Sequence, residues 1–475
     1  MTIDRQYCRW CFAGSLALLA LSFVAYVLPS VQSIFFILAI GLTLIVALWR
    51  LESALYLVLA ELGIGSFGYL LSVSMGGVNL SLRIGMFAVI MAVWLGRVLV
   101  ELARTKSFGR YVSLRHTALG KYFLLLLVVL VWGALWGWWR GHGLRGVFFD
   151  SNGWLYFLYL LPFVDCLKRE RLPQILAVLA GSIAAMTVLT VLTFLVFTQN
   201  WAALVSPLYG WLRDFRLGEI TFAGGNLWRV FLQSQVYAAV GSVLFFWLWL
   251  KNNNYELRIT NYEFGVFTLA SFTVIISLSR SFWLGCAGAL ALMFWWLLLK
   301  EQVPLKKLFL AGLLLIVVVG VEFGAIRLIA GAGSGELISQ RLTDFGEAAG
   351  ASRWNQLRPL SLAITRHPII GSGFGAPVTY QSLDPRILKN SPDGWYTTYA
   401  FEWGYLDVLL KVGLFGLGVY LLFLYQVGKK LIITNDELQM GLFFGLVVIL
   451  LTNIFSPYLN HPLGIGYIVV LASLI

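Results

Sequence analysis

The sequence predicts an all-α, polytopic integral membrane protein. Hydrophobic residues make up 60% of its 475 positions and charged residues only 12%, a composition outside the range of ordinary soluble domains. Apolar runs of the length that a membrane-spanning helix needs recur from one end of the chain to the other. We therefore expect about 12 to 14 transmembrane helices and one large outer helical loop.

The segments can be read in order from the apolar runs. The first follows a short basic stretch with Arg5 and Arg9 and ends at Pro29 without a small-residue cleavage site, so it predicts a membrane helix rather than a signal peptide. The predicted segments are 12–28, 31–49, 53–72, 82–103, 119–138, 153–167, 174–198, 226–250, 263–279, 282–299, 307–326, 405–428, 439–456 and a short 462–475.

The longest polar interruption, 327–404, predicts a helical subdomain outside the membrane. It divides the chain into N-terminal transmembrane helices (1–200), transmembrane helices with arginine motifs (201–326), the outer loop and C-terminal transmembrane helices (405–475). Orientation follows from the basic loops at 97–115, 168–171, 300–307 and 429–430, because Lys and Arg in short loops stay on the cytoplasmic side. The N-terminus is thus predicted to be cytoplasmic.

Arginine dominates the predicted outer side, where Lys389 and Lys411 are the two lysines. A planar guanidinium binds phosphate oxygens through two parallel hydrogen bonds, which an ammonium cannot do, so this bias suits a diphosphate ligand. Anchoring to lipid headgroups is the competing interpretation for any single arginine. The outer arginines are Arg83, Arg140, Arg145, Arg213, Arg216, Arg229, Arg280, Arg327, Arg341, Arg353, Arg358, Arg366 and Arg386.

Other functional classes find little support. The four cysteines include the Cys8 and Cys11 pair, but no second Cys/His pair follows to complete a zinc site, and we expect neither metal nor cofactor. The net charge of +12 is scattered over the predicted loops. This distribution predicts membrane lipids as partners and no nucleic acid.

Four local patterns fall on the predicted outer side. They are a Ser-Arg turn at Ser279-Arg280, an Arg- and Gly-rich loop from Arg213 to Arg229, an R-x-x-W-like helix start at Arg353 followed by His367-Pro368 and Gly371, Gly373 and Gly375, and the helix start Tyr405-Leu406 with Gly413 and Gly416. In this order they resemble the O-antigen ligase and polymerase superfamily of membrane glycosyltransferases (WaaL/Wzy type), from about Trp201 to the C-terminus.

The resemblance implies an enzyme of surface polysaccharide (O-antigen, lipopolysaccharide or exopolysaccharide) biosynthesis in the bacterial inner membrane. Such enzymes take a glycan from an undecaprenyl diphosphate carrier on the outer face and join it to a glycan or lipid acceptor, and chain-length or export proteins are further candidate partners. By resemblance, Arg280 and either Arg216 or Arg229 hold the diphosphate. Polymerase and ligase both remain open, because they share one donor class.

Glu402 is the candidate catalytic base. The histidine usual in this superfamily falls on Glu402 when Tyr405-Leu406 and Gly413 are aligned, a departure that favours polymerases over lipid A core ligases. When a diphosphate is displaced, the negative charge on the leaving group must be neutralised, and arginines can do this without a metal. The acceptor hydroxyl also needs a base that takes up its proton. The competing interpretation is that Glu402 caps or anchors the helix that follows it.

Weaker candidates are Arg353, His142 and His461, the two histidines being reserve bases on the outer side. His367 precedes a proline, so a capping or loop-shaping role is favoured over catalysis. Glu61 lies inside a predicted membrane segment. A functional role for this acid and a structural role in a buried hydrogen bond fit that position equally well. The three glycines after His367 suit either a flexible turn or an anion nest.

Two other functions compete with glycosyl transfer. A transporter or flippase of lipid-linked oligosaccharide would show internal repeats and charges near the membrane centre. The two halves of this chain show no repeat, and its one long polar insertion lies late and on one side. A structural membrane component leaves the outer arginine bias unexplained.

Overall fold

The computed structural model describes residues 4–76, 78–105, 119–252, 261–331, 348–434 and 436–475. The predicted inner-loop residues 106–115 and Arg341 lie outside these ranges. Within them the chain is mostly helical, and eight helices are long and apolar enough to cross a membrane, so the all-α polytopic class is confirmed. These are α1 (Arg5–Val27), α2 (Gln32–Trp49), α4 (Leu82–Thr105), α5 (Gly120–Trp139), α8 (Leu172–Thr198), α12 (Arg280–Leu299), α13 (Leu305–Ala330) and α16 (Gly404–Ile433).

The described part of the chain also contains shorter helices and three antiparallel hairpins. The helices are α3 (Leu51–Ile64), α6 (Leu144–Ser151), α7 (Leu160–Cys166), α9 (Ala202–Asp214), α10 (Val236–Asn252), α11 (Tyr262–Ile276), α14 (Ala348–Arg366), α15 (Pro385–Leu388), α17 (Glu437–Thr452) and α18 (Pro462–Ser473). The hairpins pair β1 (Ser72–Met75) with β2 (Val78–Ser81), β3 (Gly218–Gly224) with β4 (Leu227–Leu232), and β5 (Val378–Gln381) with β6 (Trp395–Thr398).

Three of the predicted segments are not single long helices. The segment expected at 226–250 begins as strand β4, and its α-helix starts only at Val236. The segment expected at 53–72 ends as a helix at Ile64, because the chain then turns through Gly68, whose φ is 88°, into the β1–β2 hairpin. The segment expected at 153–167 forms a 3₁₀ helix, Asn152–Tyr159, followed by the short α7. Gly153 packs against the Asn460 carbonyl here, where an added Cβ would lie 2.7 Å from the oxygen.

The core of the bundle is built around α8 and α10. Every residue of α10 from Val236 to Leu250 is buried, and this helix packs against α11, α12 and α17, while α1 packs along α8. Helices at the periphery leave large aliphatic side chains exposed, such as Ile37 (64%) and Ile45 (66%) on α2. In a bilayer these side chains face acyl chains rather than water.

The two ends of the bundle are distinguished by their contacts. At one end α5 and α11 finish and α12, α16 and α18 begin; we call this the site end. At the opposite end Arg169 pairs with Asp436 at 2.5 Å and Lys251 with Glu301 at 2.5 Å, joining distant parts of the chain. The polar residues singled out in the sequence thus collect at the site end.

Residues 348–404 form a small subdomain over the start of α16. Leu360 of α14 packs with Val378 of β5, Phe401 and Leu410 of α16, and this cluster attaches the subdomain to the membrane helix. The subdomain was expected to be helical. It contains α14 but also the β5–β6 pair, in register from Val378 opposite Thr398 to Gln381 opposite Trp395.

Candidate active site

Glu402 lies in the turn before α16 and pairs with Arg353 of α14, Nε of the arginine donating to Oε2 of the carboxylate. Both side chains remain partly exposed, 37% for Arg353 and 44% for Glu402. Trp403 fixes the pair, because its Nε1 donates to the Arg353 carbonyl at 2.9 Å and its ring meets Trp354 edge-on at 5.4 Å. Two of the predicted site residues are therefore in direct contact.

The alternative role of Glu402 as a helix cap is not supported by this geometry. The N-cap residue of α16 is Trp403, with no side-chain cap, and the carboxylate that accepts a backbone N–H near this turn belongs to Asp407, 3.2 Å from the Phe401 nitrogen. The charge of Glu402 faces a guanidinium instead.

Arg280 and Arg229 lie on either side of one tight turn. Helix α11 ends at Ile276, the chain passes through Leu278 with φ 46°, and Arg280 is the first residue of α12. Nε of Arg229, on strand β4, donates to the Ser277 carbonyl at 3.0 Å, and its guanidinium lies 4.6 Å from the centre of the Phe231 ring. The turn Ser277–Ser279 thus carries an arginine on each side.

The loop between α17 and α18, residues 453–461, connects these groups and is called here the connecting loop. Its Phe455 ring lies 5.3 Å from that of Trp403, next to Glu402, and Ser456 donates to the Ser281 hydroxyl, next to Arg280, at 3.0 Å. The connecting loop therefore directly contacts a sequence neighbour of Glu402 and a sequence neighbour of Arg280. Sequence reasoning singled out only His461 in it.

Arg216 occupies a different position from Arg229. Its guanidinium lies 5.1 Å from the centre of the Tyr69 ring, and its backbone adopts φ 52° at the foot of the β3–β4 hairpin. Arg229 stands opposite Thr221 farther along that hairpin. Of the two alternatives that the resemblance left open, Arg229 is the one in contact with the turn before Arg280.

His461 is the N-cap residue of α18, and its Nδ1 accepts the Leu463 N–H at 3.3 Å. Its ring meets Phe67 edge-on at 5.2 Å. Burial lowers the pKa of His461 to about 3, and the positive charge of Arg83 acts in the same direction. A neutral ring that caps a helix is a structural role, which weakens His461 as a reserve base.

We expect His461→Asn to preserve stability at pH 7.5 and His461→Ala to lose about 0.5–2 kcal/mol, because asparagine also caps a helix N-terminus. The folded protein holds the imidazole neutral, so its contribution is lost as pH falls from the ordinary histidine pKa of 6.5 towards 3. Between pH 7.5 and pH 5, the melting temperature of His461→Asn should therefore fall less than that of the parent protein. Tryptophan-detected melting measures both effects; loss of activity in the asparagine variant with unchanged melting would instead indicate a catalytic role.

Two further histidines of the described residues, His142 and His367, also have structural partners. His142 Nδ1 lies 3.0 Å from the Phe374 carbonyl, to which it can only donate, and His367 Nε2 lies 2.7 Å from Nη1 of Arg140. Burial and the positive charges of Arg140 and Arg366 lower the pKa of His367. Both histidines attach the turn after α14 to the end of α5.

Glu61 forms a buried ion pair with Arg83. Two hydrogen bonds join them, at 2.8 and 3.0 Å, and a third from the guanidinium reaches the Ser66 carbonyl at 2.6 Å. The side chains are 2% and 3% exposed. Of the two roles considered for Glu61, the structure shows the buried hydrogen-bonded one. The guanidinium of Arg83 is used in this ion pair.

The glycine-rich turn Gly371–Gly375 is neither a flexible turn nor an anion nest, because its N–H groups already have partners. Ser372 donates to the Leu410 carbonyl at 2.7 Å, and Gly373 to the Lys411 carbonyl at 2.9 Å. An added Cβ on Gly373 would lie 2.4 Å from the Gly137 Cα. The glycines allow the turn to pass between α5 and a break in α16.

That break lies at Gly413, whose φ of 68° and ψ of −174° interrupt the helix. The turn satisfies the backbone groups freed by the break: Leu414 donates to the Pro368 carbonyl at 2.8 Å and Phe415 to the Ile369 carbonyl at 3.0 Å. Gly413 also packs too closely for a side chain, since a Cβ would lie 2.2 Å from the Ile369 oxygen.

A buried charge network missed by sequence reasoning lies beside the break. Nζ of Lys411 binds Asp150 of α6 and, at 2.8 Å, Asp407. Asn460 of the connecting loop donates to Asp407 at 2.5 Å, and the Gly375 N–H donates to Asp150 at 2.7 Å. All three charged side chains are 4% exposed or less. The network joins α6, α16, the glycine turn and the connecting loop.

Comparison with known families identifies the region that holds these groups. Residues 265–421, about a third of the chain, match the family model described as O-antigen ligase. Neither the curated proteins nor the solved structures contain a match. The matched region includes the turn at Arg280, the Glu402–Arg353 pair, the glycine turn and the break in α16. This match over residues 265–421 supports the assignment of the chain to the O-antigen ligase/polymerase superfamily that its sequence motifs resemble.

Proposed function

We propose that this protein is a membrane glycosyltransferase that moves a glycan from an undecaprenyl diphosphate carrier to an acceptor hydroxyl on the outer face of the bacterial inner membrane. The observation that carries the proposal is that the connecting loop contacts both the neighbour of Glu402 and the neighbour of Arg280. Glu402 and Arg280 are therefore each one residue away from a contact of this loop, and Arg229 contacts the turn that precedes Arg280.

In the proposed reaction, the acceptor oxygen forms a bond to the anomeric carbon while the bond from that carbon to the diphosphate breaks. Arg280 and Arg229 stabilise the negative charge that develops on the leaving diphosphate. Glu402 accepts the proton of the acceptor hydroxyl, and Arg353 orients its carboxylate. One displacement of this kind inverts the anomeric configuration and needs no metal ion.

The experiment is glycan transfer by the purified protein with a polyprenyl diphosphate oligosaccharide, with and without EDTA. Arg280→Ala is expected to lower kcat/KM by about 10²- to 10³-fold, the range found when one group that stabilises developing charge is removed. Arg280→Lys should recover only part of the rate, because an ammonium lacks the two-pronged geometry. Arg327→Ala, at the end of α13, serves as a control arginine at the same end of the bundle.

The products separate the remaining alternatives. A ladder of products identifies a polymerase, and a single addition to a lipid acceptor identifies a ligase. Full activity of Arg280→Ala would contradict the site. Inhibition of the parent by EDTA, restored by added metal, would contradict the metal-independent mechanism.

The break in α16 favours a transporter as the second candidate, because transporters place broken helices and charges near the membrane centre. Here the glycine turn occupies the break and satisfies its backbone groups, so the break is filled by protein rather than open to a substrate. Uptake or flipping of lipid-linked oligosaccharide by reconstituted vesicles, without glycan transfer, would establish the transporter instead.

A further inference from the structure

An arginine-lined cleft lies at the opposite end of the bundle from the candidate active site. It has a volume of about 350 Å³ and is formed where α2 meets α3, beside α4 and the connection from α7 to α8. Its lining residues are Trp49, Arg50, Leu51, Glu52, Arg97, Cys166 and Arg171. Nothing in the proposed reaction uses this cleft.

Arginine is the main charged residue of the cleft. Arg97 donates from Nη2 to the carbonyls of Ala47 and Leu48 at 2.7 and 3.0 Å, which fixes its position and uses one of its three nitrogens. Arg50 lies over the Trp49 ring at 5.3 Å. These interactions hold two guanidiniums at the cleft without neutralising their charge.

The one carboxylate in the lining does not balance the three arginines. Glu52 pairs with Nε of Arg171 at 2.9 Å and also accepts the Tyr56 hydroxyl at 2.8 Å. Asp165 lies next to the cleft and accepts the indole N–H of Trp94 at 2.7 Å. Arg171 is still 47% exposed in its ion pair, so a ligand can reach it.

The cleft adjoins surface that faces lipid. Trp49 is 75% exposed and Leu48 62%, and on α4, which contributes Arg97 to the cleft, Leu99 and Val100 are 54% and 51% exposed. A tryptophan in this setting is typical of the membrane–water boundary. An anion bound by the arginines would therefore have apolar surface beside it for acyl chains.

We propose that this cleft binds the phosphate group of an anionic phospholipid, with Arg50, Arg97 and Arg171 as its ligands. Phosphate oxygens suit guanidinium donors, and basic pockets between membrane helices are sites of anionic headgroups. The apolar surface around the cleft favours a lipid over free phosphate. The proposal does not depend on the glycosyltransferase assignment.

The test is lipid binding by the purified, delipidated full chain, measured by native mass spectrometry with phosphatidylglycerol, phosphatidylcholine or inorganic phosphate. The double variant Arg50→Gln, Arg171→Gln should bind phosphatidylglycerol about 25-fold more weakly, at about 5-fold for each basic residue near the membrane surface. Arg97 is left intact because it also satisfies backbone carbonyls. Lys306→Gln with Lys429→Gln, two exposed lysines at the same end, is the charge-matched control.

Glu52→Gln gives a test of opposite sign, because removing the carboxylate releases Arg171 and should tighten phosphatidylglycerol binding. Equal losses in the arginine and lysine double variants would overturn the proposal by showing only general attraction to charge. Displacement of the lipid by millimolar inorganic phosphate would overturn the assignment to a lipid. The melting temperature of each variant confirms folding, and no step requires enzymatic turnover.

Discussion

Replacing Glu402 by glutamine is expected to lower the rate of glycan transfer by about 10²- to 10⁴-fold, the usual contribution of a positioned proton acceptor. Glutamine keeps the size of the side chain and can still accept a hydrogen bond from Arg353, but it cannot take up the proton of the acceptor hydroxyl. Binding of the donor should change little, since the loss lies in the chemical step. Single-turnover kinetics with saturating donor measure it.

The ion pair with Arg353 makes a second variant informative. If the pair only docks α14 on α16, Glu402→Gln and Arg353→Gln should have equal, small effects on activity and stability, because exposed ion pairs contribute about 0–1 kcal/mol. If Glu402 is the base, Arg353→Gln should cost far less activity than Glu402→Gln. Equal losses in both variants, each with a lowered melting temperature, would remove Glu402 from the catalytic role.

The sequence was sufficient for the fold class and for the turn at Ser279-Arg280. The length of the apolar runs predicted a polytopic helical protein because a bilayer demands that length. The spacing around Ser279-Arg280 predicted a turn between two helices, and the structure starts α12 at Arg280. Arg353 and Glu402 were both singled out, but their contact depends on how α14 folds back on α16.

The connecting loop shows where sequence reasoning ended. Its contacts with the neighbours of Glu402 and Arg280 are made by Phe455 and Ser456, and residues of these types are common at the ends of membrane helices. Only the packing of α17 and α18 against α12 and α16 brings them together. The glycines after His367 indicated a turn with special backbone requirements. These glycines are needed because the turn passes close to Gly137 and Gly413, which are distant in the sequence.

The buried network was missed for a similar reason. Lys411 was noted as one of two outer lysines, and Asp150 lies 261 residues away from it in the sequence. Asp407 and Lys411 are four residues apart on one helix, a spacing that also occurs in ordinary surface ion pairs. Hydropathy says which segments enter the membrane but not which polar side chains face each other inside it.

Lys411→Met is expected to destabilise the protein by about 3–5 kcal/mol, the typical cost of removing one partner from a buried ion pair. Methionine keeps much of the volume, so the loss arises from two carboxylates left without their cation. Burial raises the pKa of Asp150, and the removal of the Lys411 charge, which acts in the opposite direction, should raise that pKa further. The folded state then binds protons more tightly than the unfolded state, so the deficit should shrink as pH falls from 7.5 to 5.

The matched control is the triple variant Asp150→Asn, Lys411→Met, Asp407→Asn, which removes all three charges and keeps similar shapes. It should recover most of the lost stability, because a buried ionic network replaced by neutral groups of similar volume is often close to neutral in stability. Melting of the parent, the single variant and the triple variant at pH 7.5 and pH 5 measures this. A single variant that melts with the parent at both pH values would show that the network contributes nothing to the attachment of α16 to α6.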